Sequence, residues 1–246
     1  VDEAVCYSGT RNDPSRMAQN FAGVSGTNDA RNDIVIRGNS PAGVLWRMDD
    51  IDIPNPNHFS TLGATGGPVS ILNTNTLKNS DFLTSAFPSQ YGNAVAGVFD
   101  LKMRNGNNEK NEFLGQMGFN GFEFGAEGPL NKKTKSSYLL DYRYSLVASL
   151  QKIGVNFGTG SATPYYQDGT FKINFPTKKS GTFSVFGIGG ESHIHFLRQQ
   201  GGVQYNQNAL NIDSMSGINF KTGVDYKLNS NNTFGVMLNG NSFATK

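Results

Sequence analysis

The sequence has little cysteine, little charge and no long apolar run. Cys6 is the only cysteine in 246 residues, which excludes a disulfide framework and a cysteine-rich zinc site. Charged residues make up 16% of the chain, against about 25% in ordinary soluble domains. No apolar run approaches the roughly 18 residues that a membrane-spanning helix needs. The net charge of +2, without a basic stripe, argues against a nucleic-acid partner.

Common enzyme motifs are absent too. No Gly-rich loop ends in Gly-Lys-Ser or Gly-Lys-Thr, so the chain has no P-loop. With three histidines and one cysteine, a nucleophilic triad has few possible members. We therefore predict a protein that is not an enzyme and holds no cofactor.

Glycine and aromatic residues are abundant, with 30 Gly, 18 Phe and 9 Tyr. Aromatic residues favour strands, and glycine favours the turns between them. Two regimes follow one another. Residues 1–108 are irregular, with short apolar segments between Gly, Pro and Asn clusters, and they predict a compact α/β unit. Residues 109–246 alternate apolar and polar side chains in about seven segments, which is the period of β-strands.

The connections between these strands alternate in length. The short ones are residues 131–135, 177–181 and 229–232, and the long ones are residues 147–167 and 191–217. Transmembrane barrels have short turns at one end and longer loops at the other. Opposite the apolar face, charged residues such as Asp141 and Arg143 suit a wet lumen better than a dry sandwich core. Seven strands do not close such a barrel, so we expect a partial one.

Several segments, in this order, resemble TonB-dependent outer-membrane receptors. IVIRG (34–38), MDDIDIP (48–54) and SDFLTSAFPSQYGNAVAGVFDLKMR (80–104) are similar to parts of the family's plug domain. GFEFGAEGPL (121–130) is similar to a first barrel hairpin. Asp50 stands where the family usually has Gly, and Asp tolerates the left-handed turn conformation better than most residues.

The resemblance implies a fold and a function. The fold is an α+β plug domain (1–108) followed by antiparallel transmembrane β-barrel strands, the N-terminal portion of the barrel (109–246). The protein would lie in the outer membrane of a Gram-negative bacterium, in contact with the lipid bilayer. It would bind a scarce nutrient, a small molecule, glycan or peptide, and import it to the periplasm. The TonB complex would supply the energy through an N-terminal segment outside this chain.

The resemblance also implies where the plug meets the barrel wall. Arg37 follows an apolar strand, and we expect it to pair with a lumenal acid, Glu123 or Glu127. The alternative is a surface arginine without a special partner.

Two segments are expected at the plug apex, where the substrate binds. The first contributes Asn57, His58 and Phe59, and the second contributes Gln90 and Tyr91. The alternative is that these residues pack the loops against the lumen wall.

Glu191, His193 and His195 follow i, i+2, i+4 spacing, so in a strand they would point the same way. This weak candidate for a metal site lacks an evident fourth ligand. The alternative is a polar lumen face or loop base, and we predict no metal.

Two other functions fit the composition. One is a soluble β-rich domain that binds a glycan or a protein without transport. The other is a β-rich glycoside hydrolase with a carboxylate pair. Dependence on detergent separates the transporter from both.

Overall fold

The computed structural model describes residues 10, 13–29, 31–53, 55–59, 66–118, 121–146, 162–177, 181–196, 214–227 and 233–245. Strands predominate among them, and helix α1 (Pro14–Ala18) is short. Asp13 caps α1, because its Oδ1 accepts a hydrogen bond from the Ser15 backbone N–H. No helix in the described part of the chain is long and apolar enough to cross a membrane.

The described residues from Thr10 to Arg104 are called the N-terminal unit below. Its strands are β1 (Val24–Gly26), β2 (Ile34–Ile36), β3 (Val44–Met48), β4 (Ile51–Ile53), β5 (Asn57–His58), β6 (Val69–Ser70), β7 (Asp81–Leu83) and β8 (Gly97–Leu101). Two 3-10 turns span Pro41–Gly43 and Thr74–Thr76. A mixed sheet has the order β4-β3-β8-β7, with β3 and β8 parallel, and β1-β2 and β5-β6 form separate antiparallel pairs.

The turn between β3 and β4 confirms a sequence prediction. Asp49 and Asp50 have φ values of 45° and 68°, which is the left-handed region. A two-residue hairpin loop with both φ values positive has the type I′ geometry that suits the twist of paired strands. Asp50 therefore adopts the conformation for which Gly is the usual residue. Asp49 also accepts a hydrogen bond from the Met103 backbone N–H, at 3.1 Å.

The core of the N-terminal unit is apolar and aromatic. The rings of Trp46 and Phe99 stack with centroids 4.2 Å apart, and Phe82 stacks on the same Phe99 at 4.3 Å. Phe186 and Ile188 join this core from outside the unit. Each fully buried side chain of this kind contributes about 1.5–3 kcal/mol.

Phe186 and Ile188 belong to an antiparallel sheet of seven strands. Its strands are β9 (Glu112–Gly118), β10 (Gly121–Asn131), β11 (Ser136–Tyr144), β12 (Ala162–Pro176), β13 (Thr182–Phe196), β14 (Ser214–Lys227) and β15 (Thr233–Thr245). They form a meander in chain order, with β9 and β15 as the edges within the described residues. Strands β12 and β13 reach further into the predicted long connections than the alternation indicated.

From β9 to β13, where side chains are described, the two faces of this sheet are inverted relative to a water-soluble one. The face toward the N-terminal unit is mostly polar and buried; its buried polar members include Glu123, Asp141, Asp168, Thr170, Lys172, Asn174, Ser184 and Ser192. The opposite face is apolar and exposed; its large members include Phe113, Met117, Phe122, Phe124, Leu140, Tyr142, Phe175 and Phe183. The covered polar face contributes the sheet's part of the candidate site described next.

Candidate functional site at the interface between the N-terminal unit and the sheet

Polar contacts join the N-terminal unit to the buried face of the sheet at several points. The first is made by His58, in β5. Its Nε2 lies 2.8 Å from Oδ2 of Asp168, in β12. Arg143, in β11, donates from Nε and Nη2 to the two oxygens of the same carboxylate, at 2.8 and 2.9 Å. The Asp168 carboxylate therefore holds a guanidinium of the sheet and an imidazole of the N-terminal unit together.

His58 is 0% exposed. This burial lowers its pKa below the ordinary histidine value, although the neighbouring Asp168 acts in the opposite direction. The imidazole is therefore neutral at pH 7, and its Nε2–H donates to Asp168. The next residue adds a contact, because the Phe59 backbone N–H donates to Oγ of Ser192, in β13, at 3.3 Å.

The second point is an amide between two carboxylates. Nδ2 of Asn73 donates to Oε1 of Glu123 at 2.9 Å and to Oδ1 of Asp141 at 2.8 Å. Asn75 donates to the same Glu123 oxygen at 2.6 Å. Each carboxylate accepts from an amide of the N-terminal unit, and both acidic residues have little exposed surface.

The third point is a buried ion pair. Nζ of Lys172, in β12, lies 2.7 Å from Oδ2 of Asp49 and donates to the Met103 carbonyl at 3.2 Å. Both charged side chains are buried. The β3-β4 turn is thus fixed to the sheet by the same aspartate that adopts a left-handed conformation.

The fourth point corrects a sequence prediction. Glu127 accepts a hydrogen bond from Nη1 of Arg104 at 2.6 Å and another from the Asn107 backbone N–H at 2.8 Å. Arg37, which was expected to pair with Glu123 or Glu127, is exposed in a left-handed turn after β2. Both acids do contact the N-terminal unit, but Glu127 binds Arg104 and Glu123 binds Asn73 and Asn75.

The expected apical residues also lie differently from the prediction. Asn57, His58 and Phe59 are buried, so none of them is presented to an external ligand in this conformation. Asn57 donates to Oδ1 of Asn55 at 2.8 Å and accepts from Asn32 at 2.6 Å, which fixes its own loop. This arrangement corresponds to the alternative of packing against the sheet.

The two residues of the second expected apical segment differ in exposure. Gln90 is exposed. Tyr91 is buried; its hydroxyl donates to Oδ2 of Asp100 at 2.8 Å, and the Arg47 guanidinium lies 5.4 Å from its ring centroid. Burial raises the pKa of Tyr91. Substrate binding by Gln90 stays a prediction, whereas Tyr91 anchors its segment to the sheet of the N-terminal unit.

Two of the three candidate metal residues lie on the uncovered face of the sheet rather than on the polar face. The β12-β13 register places Glu191 and His193 in phase with exposed Phe183. Glu191 accepts a hydrogen bond from Gln167 at 3.0 Å, and His193 stacks on Tyr165 at 4.5 Å. The side chain of His195 lies outside the described residues. Among those that are described, no group of three metal-ligating side chains occurs.

A cavity of about 310 Å³ lies between α1, the segment around β6 and the ends of β9 to β11. Arg143 and Glu123 line it beside Tyr144 and Tyr166. These two charged groups already have partners, Asp168 and the Asn73 amide. The cavity lies between the two parts of the molecule, and the charges of Arg143 and Glu123 in its wall are used to hold these parts together.

Sequence reasoning missed most of the pairing partners. Asp141, Arg143 and Lys172 carried a signal, since each lies on the polar face of an alternating strand. Nothing in the sequence connected them to Asn73, Ser70 or Asp49, because those contacts span 68 to 123 residues.

Comparison with known proteins shows the fold class. No protein-family model matches the sequence, and no curated protein matches it. The chain is similar to the ferric enterobactin receptor of Pseudomonas aeruginosa, a mutant in complex with enterobactin, at TM-score 0.57 and 14% identity. A double mutant of that receptor gives TM-score 0.55 and 13% identity. Each alignment covers 94% of this chain, and 38% and 43% of the receptor chains.

At this identity the likeness shows a shared fold. The chain spans about two fifths of the length of these receptors. Its strands form an open sheet in the described residues, without a closed barrel.

Proposed function

We propose that the chain is part of an outer-membrane, TonB-dependent transporter. The N-terminal unit (within residues 1–108) is its plug, and the seven-stranded sheet (within residues 109–246) is the first part of its barrel wall. The observation that carries this proposal is the inverted sheet, whose polar face is covered and whose apolar face is exposed.

The exposed face argues for a lipid environment. Phe113 and Met117 are 72% and 78% exposed, and further aromatic residues continue the same face across β10 to β13. Removing one such side chain from water is worth about 1.5–3 kcal/mol. In water a continuous apolar face of this kind leads to association, whereas in a bilayer it is the surface that contacts the lipid tails.

The covered face argues for a plug that can be moved. An apolar core resists separation in water, but hydrogen bonds and ion pairs can be exchanged for water at a net cost of about 0.5–1.5 kcal/mol for a typical bond. Mostly polar contacts join the N-terminal unit to the sheet, so a pull through TonB would separate the two along that surface. The aromatic stack of the unit would remain, while Phe186 and Ile188 would leave its core with the sheet.

The nutrient class is a small molecule, a glycan or a peptide. An iron–siderophore lies within this range, since the solved neighbour is a ferric enterobactin receptor. The described contacts belong to the interior of the molecule and do not select among these classes.

A single lysine on the exposed face tests the proposal. Leu140 is exposed on β11 and faces away from the N-terminal unit. In a lipid-facing barrel, Leu140→Lys should destabilise the assembled full-length protein by about 2–4 kcal/mol near the bilayer centre. Asn79→Lys places the same residue on an exposed loop of the N-terminal unit and should be neutral.

The measurement is the heat-resistant, folded fraction of each variant in the outer-membrane fraction of expressing cells. If Leu140→Lys assembles like Asn79→Lys, or if the wild-type protein stays monomeric in buffer without detergent, the soluble ligand-binding alternative is favoured instead.

A further inference from the structure

The contact around His58 has a property that transport does not require. The Asp168 carboxylate is already balanced by the Arg143 guanidinium, which donates to both of its oxygens. Neutral His58 adds a hydrogen bond to this pair without adding charge. A protonated His58 would leave one positive charge in excess at a position that is 0% exposed.

The packing around the His58 ring is tight. A Cβ at residue 190 would lie 2.5 Å from Cε1 of His58, so a larger residue there would force the ring or the strand to shift. The Tyr166 ring packs against the imidazole, with centroids 5.0 Å apart. The second ring nitrogen, Nδ1, is buried and has no hydrogen-bond partner among the described residues. A proton added to Nδ1 would therefore have no acceptor among the described residues.

The groups that face His58 come from four strands. β11 contributes Arg143, β12 contributes Asp168 and Tyr166, β13 contributes Gly190 and Ser192, and β6 pairs through Val69. Arg143 and Asp168 are the charged groups among them. Burial opposes the protonated form most strongly, Arg143 opposes it as well, and Asp168 favours it; the pKa of His58 is lowered as a result.

We propose that His58 makes this contact a pH-sensitive latch, which holds residues 57–59 against the sheet at neutral pH and releases them in acid. In the released segment His58 meets water and takes up a proton near the ordinary histidine pKa of about 6.5. In the docked segment His58 stays neutral at that pH. Below that pH the released form therefore gains up to about ten-fold per pH unit, until the docked ring also titrates. Phe59 is the next residue in the chain, and its backbone N–H donates to Ser192 of the same sheet. It is therefore released together with His58.

Hydrogen exchange of the full-length protein in lipid bilayers tests the latch. Protection of the Phe59 amide, corrected for intrinsic exchange, should fall by up to about ten-fold between about pH 7.5 and pH 5.5. Amides around the β3-β4 turn, whose contact with the sheet is the Asp49–Lys172 ion pair and contains no histidine, should change much less.

Two histidine variants provide the matched comparison. His58→Gln keeps an amide N–H that can reach Asp168 but cannot be charged, so its protection should be independent of pH. His193→Gln removes a histidine from the opposite face of the sheet and should keep the wild-type response.

A wild-type Phe59 amide whose protection does not change with pH would overturn the proposal. So would a full pH response in His58→Gln. If His58→Gln is released at both pH values, the titration of the wild-type ring, followed by NMR of labelled histidine, decides. A buried ring that stays neutral well below pH 6.5 supports the latch, and one that charges at or above about 6.5 overturns it. These outcomes are independent of the nutrient and of TonB.

Discussion

The N-terminal unit buries aromatic side chains at its centre, whereas the seven-stranded sheet buries polar side chains and exposes apolar ones. The unit has short strands, 3-10 turns and several left-handed residues, and its core around Trp46 holds it together. The sheet has long strands in a simple meander and makes hydrogen bonds between neighbours. The unit therefore carries most of an apolar core of its own, to which the sheet adds Phe186 and Ile188, while the sheet needs a polar partner on one face and an apolar one on the other.

The polar surface between the two regions gives the largest expected effect. Asp49 and Asp50 are neighbours in one turn, but Asp49 pairs with buried Lys172 and Asp50 with partly exposed Lys102. Asp49→Asn should weaken docking by about 3–5 kcal/mol, because the lysine is left charged and buried. Asp50→Asn should cost about 0–1 kcal/mol.

Asparagine suits both left-handed positions, so the turn itself is preserved in the two variants. Exchange rates of β3 and β4 amides in the full-length protein measure the difference. Equal effects of the two substitutions would show that the interface is not a buried polar surface.

An intermediate effect is expected where one amide serves two carboxylates. Asn73→Ala leaves Glu123 and Asp141 without their common donor, which should lower the free energy of unfolding by about 2–3 kcal/mol. Asn75→Ala removes a single hydrogen bond to Glu123 and should cost about 1 kcal/mol. Thermal unfolding of both variants in detergent provides the comparison. A larger loss in Asn75→Ala would contradict the bridging role of Asn73.

The smallest effect is expected at the glycine beside His58. Gly190→Ala places a methyl group against the imidazole and should cost about 1–3 kcal/mol, mainly as loss of protection in residues 57–59. Gly169→Ala is the control, because its Cβ would meet neighbours only at 3.6 Å or beyond. If both alanine variants keep wild-type protection, the packing around the His58 ring is looser than the distances indicate.

Local features of the fold could be predicted from the sequence. An acid before proline is a signal for a helix start, as Asp13 and Pro14 are at α1, and a pair of aspartates is a signal for a tight turn, as Asp49 and Asp50 are. Each signal lies within a few residues and can be read without knowledge of the fold. Alternation also assigned Asp141 and Arg143 to the face opposite the tyrosines of β11, which the strand register confirms.

Contacts between distant segments could not be predicted. Arg37 and Arg104 are both candidates for Glu127 by charge, and only the docked position of the unit selects Arg104. The weak alternation of β13 has a similar cause. Phe186 and Ile188 face the N-terminal unit and join its core, so apolar residues occur on both faces of that strand.

Trp46 is the only tryptophan in the sequence, and it lies in the aromatic stack of the N-terminal unit. Its fluorescence therefore reports on that unit alone, although the whole protein contains many tyrosines. Emission from an indole shielded from water is shifted to the blue, and it moves to the red when the ring meets water. Release of the unit from the sheet keeps the stack of Trp46 on Phe99, which lies within the unit, whereas unfolding removes it. The native chain thus carries an optical label, requiring no added dye, that distinguishes displacement of the unit from its unfolding.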